Sequence, residues 1–142
     1  MRILTVRQPW AWAIIHGGKD VENRVRNIAG DYRGPVAIHA ALGVGSSREF
    51  LANTAAIGRL GKPVPFGLTY GAIIGVAQLV DVHAPHPETR CAGVDTAWSM
   101  PDHWHLVFDH PRPLAEPIPY RGALGLRRID DTTIVAIEEQ LA

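Results

Sequence analysis

Residues 4–24 read LTVRQPWAWAIIHGGKDVENR, and this span combines a strand, a helix, a stop and a charge cluster. Ile3 to Val6 is a short apolar run with the pattern of a strand. Gln8 and Pro9 then open a helix, because proline suits the first helical position. Trp10, Ala13, Ile14 and Gly17 share one helical face. Gly17-Gly18 ends the helix, since glycine takes the left-handed cap conformation at little cost. Lys19, Asp20, Glu22, Asn23 and Arg24 follow at once, and Asp20 to Arg24 reads as extended. A folding unit does not need so many polar groups after an apolar helix. Aromatic rings beside paired charges suit a pocket for a flat polar ligand such as a nucleobase.

Outward from this span, an Arg- and Gly-containing loop runs through Arg33, and Gly34 to Ala40 is strand-like. Ser46 starts a second helix, with Glu49 three residues on completing a capping box. Phe50, Leu51, Ile57 and Leu60 give that helix its apolar side. Gly61 to Gly67 is turn-rich. Tyr70 to Val82 predicts a long strand in which Gly71 and Gly75 permit bends or bulges. Residues 83–102 form a polar connection too long for a hairpin. Trp104, Leu106 and Phe108 alternate with His105, Val107 and Asp109 as a half-buried strand. Tyr120 to Ile129 is a further strand, and Thr132 to Leu141 a terminal helix through Ile134, Ile137 and Leu141. Several strands with two or three helices and no βαβ rhythm predict an α+β fold.

A chain of 142 residues predicts one domain, 1–142, with a core that needs no staples. Its one cysteine, Cys91, excludes an internal disulfide. The chain shows no signal-peptide pattern and no apolar run near the ~20 residues that span a bilayer. A soluble cytoplasmic protein without membrane attachment is expected. The formal net charge is zero, from 14 basic and 14 acidic residues. That argues against broad coating of duplex DNA. The distribution is uneven: residues 1–33 hold Arg2, Arg7, Lys19, Arg24, Arg26 and Arg33 against Asp20, Glu22 and Asp31. Residues 130–142 hold Asp130, Asp131, Glu138 and Glu139 with no base. A local basic face fits a neutral protein of this kind.

VRQPWAWAII followed by GGKDVENR resembles the opening of the ASCH family, a branch of the PUA-like superfamily. The G-x-K-x-x-E-x-R run falls on Gly17 or Gly18, Lys19, Glu22 and Arg24. WHLVFDHPRPLAEPIPYRGALGLRRI, residues 104–129, resembles the family's closing strands and its R-G-x-x-G-L segment. Arg127 stands where many relatives carry an aromatic. The resemblance implies a small, mostly antiparallel PUA-like β-barrel flanked by two or three helices, with a cleft between the first helix and the sheet.

The candidate site starts from Lys19, Glu22 and Arg24. Glu22 and Arg24 are two apart, so on a strand they share a face. Lys19 has the opposite parity and joins them only from the turn before the strand, or across a bulge. Two readings fit: a charged pocket in which Glu22 accepts from a base edge while Lys19 and Arg24 hold ligand oxygens, or a surface strand with Glu22 paired to Arg24. The resemblance favours the pocket. Arg7, Gln8 and Trp10 come next. Gln8 can cap the helix or read a base, and Trp10 can stack on a ring. Trp12 cannot share its face and is expected to pack. Trp98 has no core periodicity to explain it, so it is either a lid or a loop anchor. Arg121 lies in the closing segment. His39, in an apolar strand, is equally compatible with a satisfied core residue and a proton donor lining the cleft.

No cofactor is expected. His83, His86, His103, His105 and His110, with Cys91 and Asp102, lack the spacing of a zinc motif, so no metal is expected either. Cys91 has no nucleophile signature around it. Gly43 to Ser46 lacks a P-loop lysine and reads as a loop plus cap.

The resemblance implies an RNA- or nucleotide-binding module with a charged cleft. The first alternative is a hydrolase on the same site: an amidohydrolase of acylated cytidine, or a single-strand ribonuclease. The candidate catalytic residues are Lys19, Glu22 and His39, with Arg7, Gln8, Trp10, Arg24, Trp98 and Arg121 binding the ligand. In the amidohydrolase Lys19 activates water or polarises the amide while a carboxylate shuttles the proton, and in the ribonuclease Lys19 and His39 serve as acid and base. Amidohydrolase relatives carry threonine where Glu22 stands, which weighs against that chemistry. The second alternative is a protein-interaction module, whose partner the sequence does not identify.

Overall fold

The computed structural model describes residues 1–86 and 97–142. In chain order the elements are β1 (Arg2–Val6), α1 (Trp10–His16), β2 (Val21–Arg24), β3 (Gly34–Ala40), α2 (Ser47–Arg59), β4 (Ala72–His83), β5 (Trp104–Pro119), β6 (Leu126–Arg128) and α3 (Asp131–Leu141). The six strands form one sheet in the order β2-β5-β4-β3-β1-β6. β1 and β3 run parallel, with α1 and β2 in the crossover between them. The remaining pairings are antiparallel. The sheet curls into a half-barrel, the α+β PUA-like architecture expected from the resemblance. No helix among the described residues is long and apolar enough to cross a membrane.

Alternation along β1 builds two cores. Leu4 and Val6 face a cluster with Ala11 and Ile14 of α1, Val36, Ile38, Leu79 and Phe108. Ile3 faces the other way, to Ala37, Ile73, Val76, Leu114 and Ile137 of α3. A strand covered on both faces loses the polar–apolar alternation of a one-sided strand, as RILTV does. Each fully buried Ile or Leu here contributes about 1.5–3 kcal/mol relative to an exposed one.

The stop after α1 follows the expected logic, with the left-handed residue one place later in the pair. Gly17 caps the helix in right-handed conformation, and Gly18 takes φ +79°. Pro9 sits one place before the first helical residue, at the N-cap. Close approach explains Gly75, where a Cβ would lie 2.7 Å from Ile15 Cδ1 and 2.8 Å from the Arg112 carbonyl oxygen. α1 thus packs on β4 through the absent side chain, and the β4–β5 register shifts at this point.

Three expectations change. β5 does not stop near Asp109 but continues to Pro119 through several prolines. β2 pairs with β5 only over Trp104 to Val107, so beyond that point one edge is free and a missing N–H costs less. The strand expected over Tyr120–Ile129 shrinks to β6. Residues 120–125 instead cross over β1, where the Ala123 N–H donates to Thr5 Oγ1 at 3.0 Å. The apolar side expected for α2 is not a packed face: Ile57 is its buried residue, while Leu51 is 66% exposed. α3 begins at Asp131, capped by Asp130, whose Oδ1 accepts from the Thr133 N–H at 2.9 Å.

Candidate functional site

Lys19 lies in the turn between α1 and β2, where its N–H donates to the Ala13 carbonyl. Being outside the strand removes the parity conflict. Its ammonium donates to the Val21 carbonyl and lies 3.4 Å from Glu22 Oε2. Glu22 Oε1 lies 3.3 Å from Arg24 Nε. Arg24 Nη2 in turn donates to the Thr5 carbonyl at 3.1 Å. The lysine side chain is 4% exposed and that of Glu22 12%. Burial pushes the Lys19 amine below its usual value, while Glu22, and to a lesser degree Asp20, oppose the shift.

Two indoles flank the ammonium. It lies 5.2 Å from the Trp10 ring centre and 5.8 Å from that of Trp98, within cation–π range. The rings meet edge to face at 6.5 Å. Asn23 holds the Trp98 segment: its amide donates to the Trp98 carbonyl at 2.8 Å, and its oxygen accepts from the Met100 N–H at 2.9 Å. Here Trp98 is both anchored and part of the wall.

Trp10, Lys19, Glu22 and Trp98 line a cavity of about 360 Å³, faced on the opposite side by Glu49, Asn53 and Ala56 of α2 and by Leu60 at its C-cap. That size suits a small ligand. A second cavity, about 550 Å³, adjoins it and shares Trp10, Glu22 and Asn23. It lies at the seam where β2 and β1 are not paired, with Arg7, Arg24 and Leu124 in its wall. The Arg24–Thr5 hydrogen bond bridges that seam.

The structure thus brings Trp10, Lys19, Glu22, Arg24, Trp98 and Arg7 to one pair of cavities. Three candidates stand elsewhere. Gln8 is buried, accepting from the Trp12 N–H and donating to the Thr69 carbonyl, each at 2.9 Å. Those bonds occupy its amide, and it lines a different cavity beside Trp12 and His16. His39 alternates with the Ile38 of the α1-side core, so it points to the opposite face of the sheet from Lys19. Its Nε2 bonds the Tyr120 carbonyl at 2.8 Å, and burial lowers its pKa. Arg121 is exposed between β5 and β6 and lines neither of the two cavities.

Glu49 and Asn53 line the smaller cavity without having been site candidates on sequence. Their signal was present as spacing: 49, 53, 56 and 60 fall on one helical face. Among the described residues no group of three His, Cys, Asp or Glu comes together as a metal site. His83 bonds Asp81 at 2.8 Å and His103 the Pro101 carbonyl at 2.8 Å. Cys91 lies outside the described residues.

A curled, mostly antiparallel six-stranded half-barrel with three helices is the architecture of a PUA-like domain. The model of the ASCH domain matches residues 4–123, and the chain belongs to the ASCH domain family. Domains of this family are generally RNA-binding. No curated protein matches the chain.

Proposed function

We propose that the chain acts as a single-domain, cytoplasmic RNA- or nucleotide-binding protein whose ligand enters the cleft between α1, β2 and α2. One observation carries this: a buried ammonium between two indoles lines the smaller cavity, and its carboxylate partner Glu22 stands with Trp10 in the wall shared with the adjoining one. The smaller cavity suits a base. The seam cavity, with Arg7 and Arg24, suits the phosphate beside it. A base in a duplex cannot reach such a cleft, so a single strand is the favoured form. Titration of short single-stranded RNAs, followed by tryptophan fluorescence, tests the proposal. Quenching with saturable binding is expected, and Arg24→Ala weakens it. Saturable binding that Arg24→Ala leaves unchanged contradicts the assignment of this cleft.

The hydrolase reading draws on the lowered pKa of Lys19, a shift that functional amines share. The amine is nevertheless committed to the Val21 carbonyl and Glu22, and His39 faces away from it. Incubation with acylated cytidine and with single-stranded RNA separates the readings. Intact ligands are expected, and turnover abolished by Lys19→Met would favour the enzyme.

A further inference from the structure

We propose that the smaller cavity takes guanine, and that Glu49 and Asn53 of α2 select it. This rests on the preceding reading of the cleft as a nucleobase site. The groups on the sheet side are already engaged. Glu22 has one oxygen at Lys19 and the other at Arg24, and the Lys19 ammonium donates to the Val21 carbonyl and is ion-paired with Glu22. The groups on the α2 side are not. Among the described residues Glu49 forms no ion pair, and neither its carboxylate nor the Asn53 amide makes a hydrogen bond. Both line the cavity, four residues apart on one helical face.

This pair offers an acceptor-only carboxylate beside an amide that donates. Guanine presents two donors side by side, N1–H and the 2-amino group, next to the O6 acceptor. A carboxylate takes both donors as a bidentate pair, and the amide N–H reaches O6. Adenine and cytosine place a ring-nitrogen acceptor beside their amino group, which faces the carboxylate lone pairs unfavourably. Uracil has one donor between two acceptors. A methylammonium ligand would also suit indoles and carboxylates, but the Lys19 ammonium already lies 5.2 and 5.8 Å from the two rings. A second cation would meet a like charge there, whereas a neutral ring would not.

The experiment is a fluorescence titration of the full chain with the single strands UUGUU, UUIUU, UUAUU and UUCUU, where I is inosine, which lacks the 2-amino group. UUGUU is expected to bind roughly tenfold or more tighter than UUAUU and UUCUU, with UUIUU between. Glu49→Gln is expected to bring guanine and adenine strands within about twofold and to erase the guanine–inosine difference. The fold tolerates this change, since Ser46 caps α2 through the Glu49 backbone N–H. Asn53→Ala is expected to narrow the preference as well. Equal binding of all four strands overturns the guanine proposal and leaves the RNA-binding reading intact. A guanine preference that survives Glu49→Gln removes Glu49 from the role. No binding of any strand removes both proposals.

Discussion

Desolvating an ammonium to the extent of Lys19 costs several kcal/mol, and Glu22 and the two indoles that face it offset part of that cost. The pairing is unequal. Glu22 touches two cations, whereas Lys19 has Glu22 as its ion-pair partner. Removing the carboxylate strands a buried charge, but removing the amine leaves Glu22 with Arg24. Glu22→Gln is therefore expected to lower unfolding free energy by about 3–5 kcal/mol, and Lys19→Met by less. Urea unfolding of both variants measures this, and the reverse order would contradict it. His39 makes a second residue-scale prediction. Its Nδ1 is buried without a partner among the described residues, so protonation would bury an unpaired charge. Its folded pKa lies below the ordinary 6.5. The unfolded state then binds the extra proton first. The stability contribution is present above about pH 6.5 and is lost as pH falls from there through the folded value. Urea midpoints at pH 7.5 and 5.0 should show the loss, and His39→Gln should reduce it. The part that remains includes His16, which burial also lowers.

At the scale of elements, legibility followed whether a signal was local. The α1 stop is written in adjacent residues, and Lys19, Glu22 and Arg24 are close enough in sequence for strand parity to relate them. β5 was not readable beyond Asp109, because its prolines signal a break unless an edge is known to be free. Trp98 reaches the site through Asn23, a contact across the chain that no spacing reveals. α2 shows the same limit from the other side. Its capping box was legible and its cap bond formed, but periodicity cannot say whether an apolar side finds a partner. With Ile57 as its buried residue, α2 stands off the sheet and leaves the cavity between them. Such an element belongs to the low-stability end of a fold. Its amides are expected to exchange with solvent faster than those of β3 and β4. Ile57→Ala removes about 2–5 kcal/mol of packing, and the loss should appear as faster exchange in α2 with the sheet unchanged. Equal protection of α2 and β3 would show that the helix is anchored by more than this side chain.

For the whole molecule, zero net charge and a local cluster of arginines set opposite limits on nucleic-acid binding. Long-range attraction is weak, so affinity depends on the few cations that reach the ligand. Arg7 and Arg24 line the seam cavity, while Lys19 is committed to Glu22. Arg127 and Arg128 are exposed on β6, the edge strand paired with β1. A strand leaving the seam toward that edge would meet them next. Binding of single-stranded RNA is therefore expected to fall with salt, with a slope in log–log form of only a few times −0.7, one such increment per phosphate contact. Arg24→Ala should flatten the slope by about one increment and weaken guanine- and adenine-containing strands alike, because phosphate contacts position the ligand without reading it. Glu49→Gln should do the reverse, changing base preference at constant slope. Titrations of both variants at several salt concentrations would separate the two roles. An Arg24→Ala slope equal to that of the unmodified chain would place the phosphate away from the seam, and the base cavity would then stand without the groove assigned to its backbone.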